Sequence, residues 1–327
     1  MDTSQSLNRE LLEKCGNLSE QEYQWISQCR RDMNRLGFCY QLIFVKVFNR
    51  FPQQNPLEIM EDVLSCASLQ IGISIDHIYE YQKRRATLSE HQNRLMIFLQ
   101  LNKYDTRTSK VVDRFIFEEA MRFDQPSLLL NRTQQFLKEN KILQPGEIRL
   151  KRSVATQKKR ASQLIFSRIE SMLQPNEDKC FDNLLSSSHG QPSSFQNLKS
   201  PPAAPSAKSL ITLGEKIHLI LSAGFSNWDL SWLHPNYQRH MARYAYRCSA
   251  DRVRALTPGH RKAVMVCFLT HTYQETLDQI VDTFVKLMTR VTNQINKKHK
   301  EELHKKRKVF RRVGQRTFPT SLSQNGA

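Results

Sequence analysis

Apolar residues recur at intervals of three and four along most of the chain, and no stretch sustains the alternation of a strand, so the pattern predicts an all-α protein. Ser19-x-x-Glu22 has the form of a capping box and opens a helix through Ile26. A second helix is expected over Arg31 to Phe51, with Leu36, Tyr40, Ile43, Phe44, Val47 and Phe48 carrying its apolar pattern. Phe38, Tyr40, Phe44, Phe48 and Phe51 read as core. Pro56 suits a first helical position ahead of Leu57, Ile59, Met60, Val63 and Leu64. Ser89-x-x-Gln92 is expected to cap a helix running to about Leu101. Helices over Thr108 to Phe123 and Pro126 to Asn140 follow as a tight pair, and Ile142 to Gly146 forms a turn.

After that turn the pattern changes in kind. From Arg149 to Arg168 the chain carries seven cations (Arg149, Lys151, Arg152, Lys158, Lys159, Arg160 and Arg168) and no acid. Leu150, Val154, Ala161, Leu164, Ile165 and Ile169 fall in one helical stripe, with most of the cations on the opposite arc and Arg168 on the apolar side. A helix that docks by one face and offers cations on the other suits a polyanion. Solvent-facing helices usually mix signs at i±4, and no compensating Glu is expected at i±4 of these cations. Helix, Gly-containing turn and basic helix together outline a helix-turn-helix. In that outline Arg149, Lys151 and Arg152 lie near the helix start, within reach of base edges and phosphates, while Lys158, Lys159 and Arg160 reach phosphate.

Between Gln174 and Ser209 the period breaks at Pro175, the Ser186 to Ser188 run, Pro192 and Pro201-Pro202-x-x-Pro205, which reads as a linker with at most a turn of helix. Beyond it, helices are expected over Ser209 to Ala223, Pro235 to Arg247 and Ser249 to Leu256. Trp228 and Trp232 sit in the aromatic loop before Pro235 and read as plugs of a helical core. Thr257-Pro258 opens a last long helical stretch, with a break placed near Thr270 to Glu275. The expected organisation is therefore two helical modules, 1–173 and 209–313, joined by a Pro/Ser-rich linker over 174–208, with a disordered tail over 314–327.

The 327 residues carry a net charge of +18, well beyond what solubility requires, and this directs the search for partners toward polyanions. Lys297 to Arg316 adds ten Lys or Arg against two Glu. Lys297, Lys298, Lys305 and Lys306 are a second candidate set for phosphate, acting without sequence preference. Seven cysteines form no C-x-x-C pair and read as reduced thiols of a cytoplasmic, nucleoid-associated protein. No apolar run approaches a membrane span, and the first ten residues lack the core of a secretion signal. His299 and His304 lack the ligands that would complete a metal site. No phosphate-binding glycine loop or nucleophile elbow is present. No cofactor, metal site or catalytic residue is therefore expected.

Several stretches, taken in order, resemble the N-terminal region of the class II (Tn-three family) replicative transposases. They are Leu18-Ser19-Glu20-x-Glu22, Arg35-Leu36-Gly37-Phe38, Gln41-Leu42 and Phe51-Pro52, followed by FEEAMRFDQPSLLL from Phe117 to Leu130. Ile142-Leu143-Gln144-Pro145-Gly146 and Leu150-x-Arg152 come next, with Gln144 where relatives often carry Leu. Beyond the linker lie Pro201-Pro202-x-x-Pro205-Ser206 and WDLSWLHPNYQRHMARYAYRCSADRVRAL from Trp228 to Leu256. The resemblance covers about Leu18 to Lys305. It implies a helical, multi-module arm that binds double-stranded DNA at a transposon's terminal inverted repeats. In that family the arm precedes a larger remainder, whose RNase-H-like domain carries an acidic, metal-binding triad. No residue of this chain matches that triad, and Arg312 to Ala327 no longer resemble the family. The resemblance therefore implies a transposase portion truncated before its catalytic domain and not itself an enzyme, able to associate with itself or with an intact transposase. A different class of function, a helical interaction protein whose Val264 to Ile295 helix pairs with another chain, is the alternative.

Overall fold

The computed structural model describes residues 12–13, 16–187, 192–201, 204–225 and 228–316, with side chains through 309 and at 311. The described residues form an all-α fold, with isolated bridges Gln54–Leu57 and Asn102–Ile142 in place of any sheet. The chain divides into two compact units, Met1–Ile165 and Phe166–Ala327. The boundary lies further upstream than the expected linker, inside a continuous helix.

In the first unit, α1 (Glu20–Ser27) begins with the expected capping box: Ser19 Oγ accepts from the Glu22 amide, and Glu22 accepts from the Ser19 amide. Helix α2 (Asp32–Phe48) is buried on nearly every side from Leu36 to Val45, as a helix that is apolar all round must be. It packs against α3 (Glu61–Ile71), α4 (His77–Tyr81) and α5 (Arg85–Leu99). Phe38, Tyr40 and Phe44 are fully buried, and Phe48 and Phe51 are half-buried against the same core. α2 stops at Asn49, whose left-handed φ of 52° an asparagine tolerates.

Two local signals fail in this unit. Pro56 does not start a helix: its peptide bond is cis, Leu57 is buried, and the helix begins at Glu61. Ser89 is not a cap, because α5 already starts at Arg85 and Ser89 lies inside it. At both places burial of a neighbouring apolar residue, Leu57 or Leu88, outweighs the local preference.

A polar chain crosses this core. Gln41 Nε2 donates to Tyr81 Oη at 2.6 Å, and Tyr81 Oη lies 2.8 Å from His91 Nδ1. Burial pushes the His91 imidazole down to about 4, so at neutral pH it is uncharged. The unfolded chain takes up that proton near 6.5 and the folded chain only near 4. Stability attached to His91 is therefore complete above about 6.5 and is lost as pH falls toward 4, by on the order of 3 kcal/mol. Urea unfolding at pH 7 and at pH 4.5 is expected to show a smaller acid loss in His91→Gln than in the unsubstituted protein.

The same unit contains a second core, formed by α6 (Thr106–Ala120), α7 (Pro126–Glu139) and the start of α8 (Glu147–Met172). Asp105 caps α6, and Pro126 occupies the first turn of α7. Val112, Ile116, Ala120, Leu129, Leu137, Ile142, Leu150, Val154 and Ala161 are buried together. Asn49 ties the two cores: its Nδ2 donates to the Ile142 carbonyl at 2.8 Å, and its carbonyl accepts from the Gln144 amide at 2.7 Å.

In the second unit the expected linker carries two helices, α9 (Glu177–Leu185) and α10 (Ser194–Leu198), which bury Phe181, Leu184, Leu185, Phe195 and Leu198. Five apolar side chains spread among Ser and Pro give no readable period, yet they fill one core. Trp228 closes it as expected, donating from Nε1 to the buried Glu177 carboxylate at 3.2 Å and meeting Phe181 edge-on. α11 (Ala207–Ser222), α12 (Pro235–Arg247) and α13 (Ala250–Arg254) pack on the first part of α14 (Pro258–Arg316). The break expected near Thr270 to Glu275 is absent. Thr272 and Thr276 are buried there, with Thr276 Oγ1 donating to the Thr272 carbonyl and Tyr246 Oη reaching Thr272 Oγ1. The tail expected over 314–327 lies outside the described residues beyond Arg316, and α14 runs to that residue.

Candidate nucleic-acid interface

Helix α8 is positioned by its apolar stripe. Leu150, Val154, Ala161, Ile165 and Ile169 are all buried. Leu164 departs from the expected stripe and is 49% exposed, because burial follows the four-residue row through Ile165 and Ile169 and leaves Leu164 at its edge. Arg168, the cation on the apolar side, lies over the Trp232 ring with its guanidinium 4.2 Å from the centroid.

The six remaining cations separate into three rows, at angles that follow from 100° per residue. Arg152 and Lys159 lie opposite the buried stripe, both exposed, and no carboxylate among the described residues pairs with either. They stand two turns apart, about 10 Å along the helix, with exposed Thr156 between them. Arg149 and Arg160 flank this ridge on one side. Their guanidiniums rest over the Tyr104 and Phe117 rings at 4.8 and 5.4 Å, which orients them without neutralising them. Lys151 and Lys158 flank it on the other side, and both are paired. Lys151 Nζ lies 2.5 Å from Glu147, and Lys158 Nζ lies 2.7 Å from a largely buried Asp124. Glu147 stands four residues before Lys151, just outside the acid-free run, so the expected absence of i±4 compensation does not hold for that lysine. Asp124 belongs to the α6–α7 connection, and only folding brings it to Lys158.

The helix-turn-helix outline is looser than expected. Residues 140–146 join α7 to α8, which exceeds the three or four residues of that motif's turn. Lys141 has a φ of 54°, and Ile142 pairs with Asn102. The arrangement is a three-helix core with α8 as its third helix.

Lys297, Lys298, Lys305 and Lys306 are exposed near the end of α14, far along the chain from the α8 set. Lys297 and Lys305 line one shallow face together with Asn293, Lys300, His304 and Lys308. The fold also gathers cations that the sequence pattern did not single out: Arg30 and Arg31 before α2 meet Lys83, Arg84 and His77 around one depression, with Asp32 and Glu80 between them. The adjacent pairs Arg30-Arg31 and Lys83-Arg84 are visible in the sequence, but their meeting is not.

Among the described residues no group of three His, Cys, Asp or Glu is placed to hold a metal ion, and no helix is long and apolar enough to cross a membrane. Cys29, Cys39, Cys66, Cys180, Cys248 and Cys267 are free thiols.

Residues 1–157 match the family described as Domain of unknown function (DUF4158). The chain is 23% identical over 286 residues to the transposase for transposon Tn2501 of Escherichia coli, an alignment that covers 88% of this chain and 29% of the relative. It is 22% identical over 307 residues to the transposase for transposon Tn1546 of Enterococcus faecium, covering 91% and 31%. A third relative, the transposase for transposon gamma-delta of Escherichia coli K12, is 24% identical over 287 residues, covering 86% and 28%. The chain thus spans about a third of the length of the curated relatives it matches. These matches run through both helical units, and over that span the chain is similar to about a third of each of the transposases named above.

Proposed function

We propose that this chain binds double-stranded DNA sequence-specifically, at the terminal inverted repeats of a transposon, and that its role is recognition rather than strand cleavage. The observation that carries this reading is the exposed ridge of α8, with Arg152 and Lys159 at its crest and the buried stripe at its back. Arg149 and Arg160 widen the ridge, and their aromatic seats hold planar donors ready for phosphate or a base edge. Lys151 and Lys158 contribute less directly. Each shares its charge with a carboxylate, and Lys158 helps fix α8 to the α6–α7 connection. Lys297, Lys298, Lys305 and Lys306 add a second contact with phosphate that is indifferent to sequence.

Fluorescence-anisotropy titration with an inverted-repeat duplex and a scrambled duplex tests the reading. The expected preference for the repeat is about a thousandfold or more, and affinity is expected to fall steeply with salt. Equal affinity for the two duplexes, or binding indifferent to salt, would count against it.

A further inference from the structure

In the second unit, α12 shares with α8 a property that the dense charge runs conceal: it carries cations and no acid. From Leu230 to Ala250 the chain has no Asp or Glu. On α12 itself stand Arg239, Arg243 and Arg247, at steps of four and about 12 Å from first to last along the axis. Tyr237, Met241, Ala242 and Ala245 are buried, and α12 packs on the first part of α14. At 100° per residue the three arginines span an arc of about 80°, whose middle lies opposite the centre of the buried face. All three are exposed. No carboxylate among the described residues pairs with any of them. Asp251 is held by Arg254, and Glu275 by Tyr246 and His271. Arg239 Nη1 donates to Asn236 Oδ1 at 3.4 Å, an amide on the same arc that orients the guanidinium without neutralising it.

The stability of α12 does not account for this row. Like charges four residues apart destabilise a helix, and only Arg247, in the last turn, is favoured by the helix dipole. We propose that Arg239, Arg243 and Arg247 bind the phosphates of the duplex whose recognition is assigned to α8, so that the second unit makes its own contact with DNA. This rests on the DNA-binding reading and extends it to residues outside both basic runs. A regular row of guanidiniums suits a repeating anion, and each planar fork can take two oxygens of one phosphate. No Phe, Tyr or Trp lies on the arc, so it lacks the stacking platform that single-stranded nucleic acid uses. Phosphate contacts carry no sequence information; α12 therefore adds affinity, and preference for the repeat stays with α8.

Combining Arg239→Gln, Arg243→Gln and Arg247→Gln removes the charge with a side chain that suits a helix. The circular dichroism spectrum and unfolding temperature are expected to be unchanged, because all three side chains face water. In anisotropy titrations the triple variant is expected to bind repeat and scrambled duplexes about tenfold to a hundredfold more weakly at moderate salt. The slope of log affinity against log salt is expected to fall by about two to three. Hydroxyl-radical footprinting on the repeat duplex then locates the contact. The triple variant is expected to lose protection at nucleotides that Arg152→Ala with Lys159→Ala leaves protected. Unchanged affinity and slope overturn the proposal, and so does loss at the same nucleotides in both variants. Unchanged duplex binding with lost retention on polyglutamate assigns the row to an acidic protein and also overturns it. In these three cases the parent still prefers the repeat, and the reading of α8 stands on its own titration. A parent chain that binds neither duplex overturns both.

Discussion

Arg152→Ala combined with Lys159→Ala is expected to weaken binding to any duplex by about tenfold to a hundredfold at moderate salt, and to lower the slope of log affinity against log salt by about two. Both side chains sit at the crest of α8, opposite Leu150, Val154 and Ala161, and neither is paired with a carboxylate among the described residues. Each can therefore release counterions from a phosphate without first breaking an internal ion pair. The single variants separate their roles. Lys159→Ala is expected to weaken all duplexes alike. Arg152→Ala, nearer the helix start and carrying a planar fork, is expected to reduce the preference for the repeat by about 1 to 3 kcal/mol. Lys158→Ala is the contrast: it breaks the pair with Asp124 and is expected to appear first as a lower unfolding temperature. Anisotropy titrations at several salt concentrations, with melting curves on the same preparations, read all four variants. If the double variant binds as tightly as the parent, with the same salt slope, α8 is not the DNA-binding element.

Gly37→Ala is expected to destabilise the first unit by about 2 kcal/mol or more, seen as a fall of about 5 °C or more in its unfolding temperature. Helix propensity alone predicts the opposite sign, since alanine is favoured over glycine inside a helix by about 1 kcal/mol. The difference lies in what faces Gly37. A Cβ there would enter the Tyr81 ring, overlapping its Cε1, Cδ1 and Cζ atoms. Tyr81 cannot move aside cheaply, because its hydroxyl is held between Gln41 and His91 and the ring is fully buried. Gly214 in α11 supplies the control. It is exposed, nothing lies within 4 Å of its would-be Cβ, and Gly214→Ala is expected to stabilise its unit by about 0.5–1 kcal/mol. Equal effects at the two glycines would rule out the close approach at Tyr81.

The features legible in the sequence were those decided within a turn or two of helix. The Ser19 capping box needs only Ser19 and Glu22, and the helix starts at Pro126 and Pro235 need only a proline whose fixed φ suits a first turn. The acid-free run on α8 and its apolar stripe are likewise properties of one helix. Local signals failed where a distant partner had a larger stake. Pro56 and Ser89 adjoin the buried Leu57 and Leu88, and α9 and α10 exist because Phe181, Leu184 and Phe195 reach a core that no local period announces. α14 runs uninterrupted through Thr272 and Thr276, where Tyr246 of another helix meets Thr272.

The candidate interface divides in the same way. The sequence by itself determined that the chain is helical, strongly basic and similar in motif order to an arm of Tn-three-family transposases. It also determined which cations share α8, because spacing along one helix fixes their angles. Only the tertiary structure decided which of them are available. Asp124 comes to Lys158, and Tyr104 and Phe117 come beneath Arg149 and Arg160, while Arg152 and Lys159 are left facing water. The sequence likewise holds the apolar positions of the last helix from Val264 to Ile295, but only the tertiary structure shows that Val264 is buried and that Val281, Phe284, Met288, Val291 and Ile295 are not. The physical reason is common to both cases: angular position is a one-dimensional property of a helix, whereas exposure and ion pairing depend on which distant segments arrive to cover it.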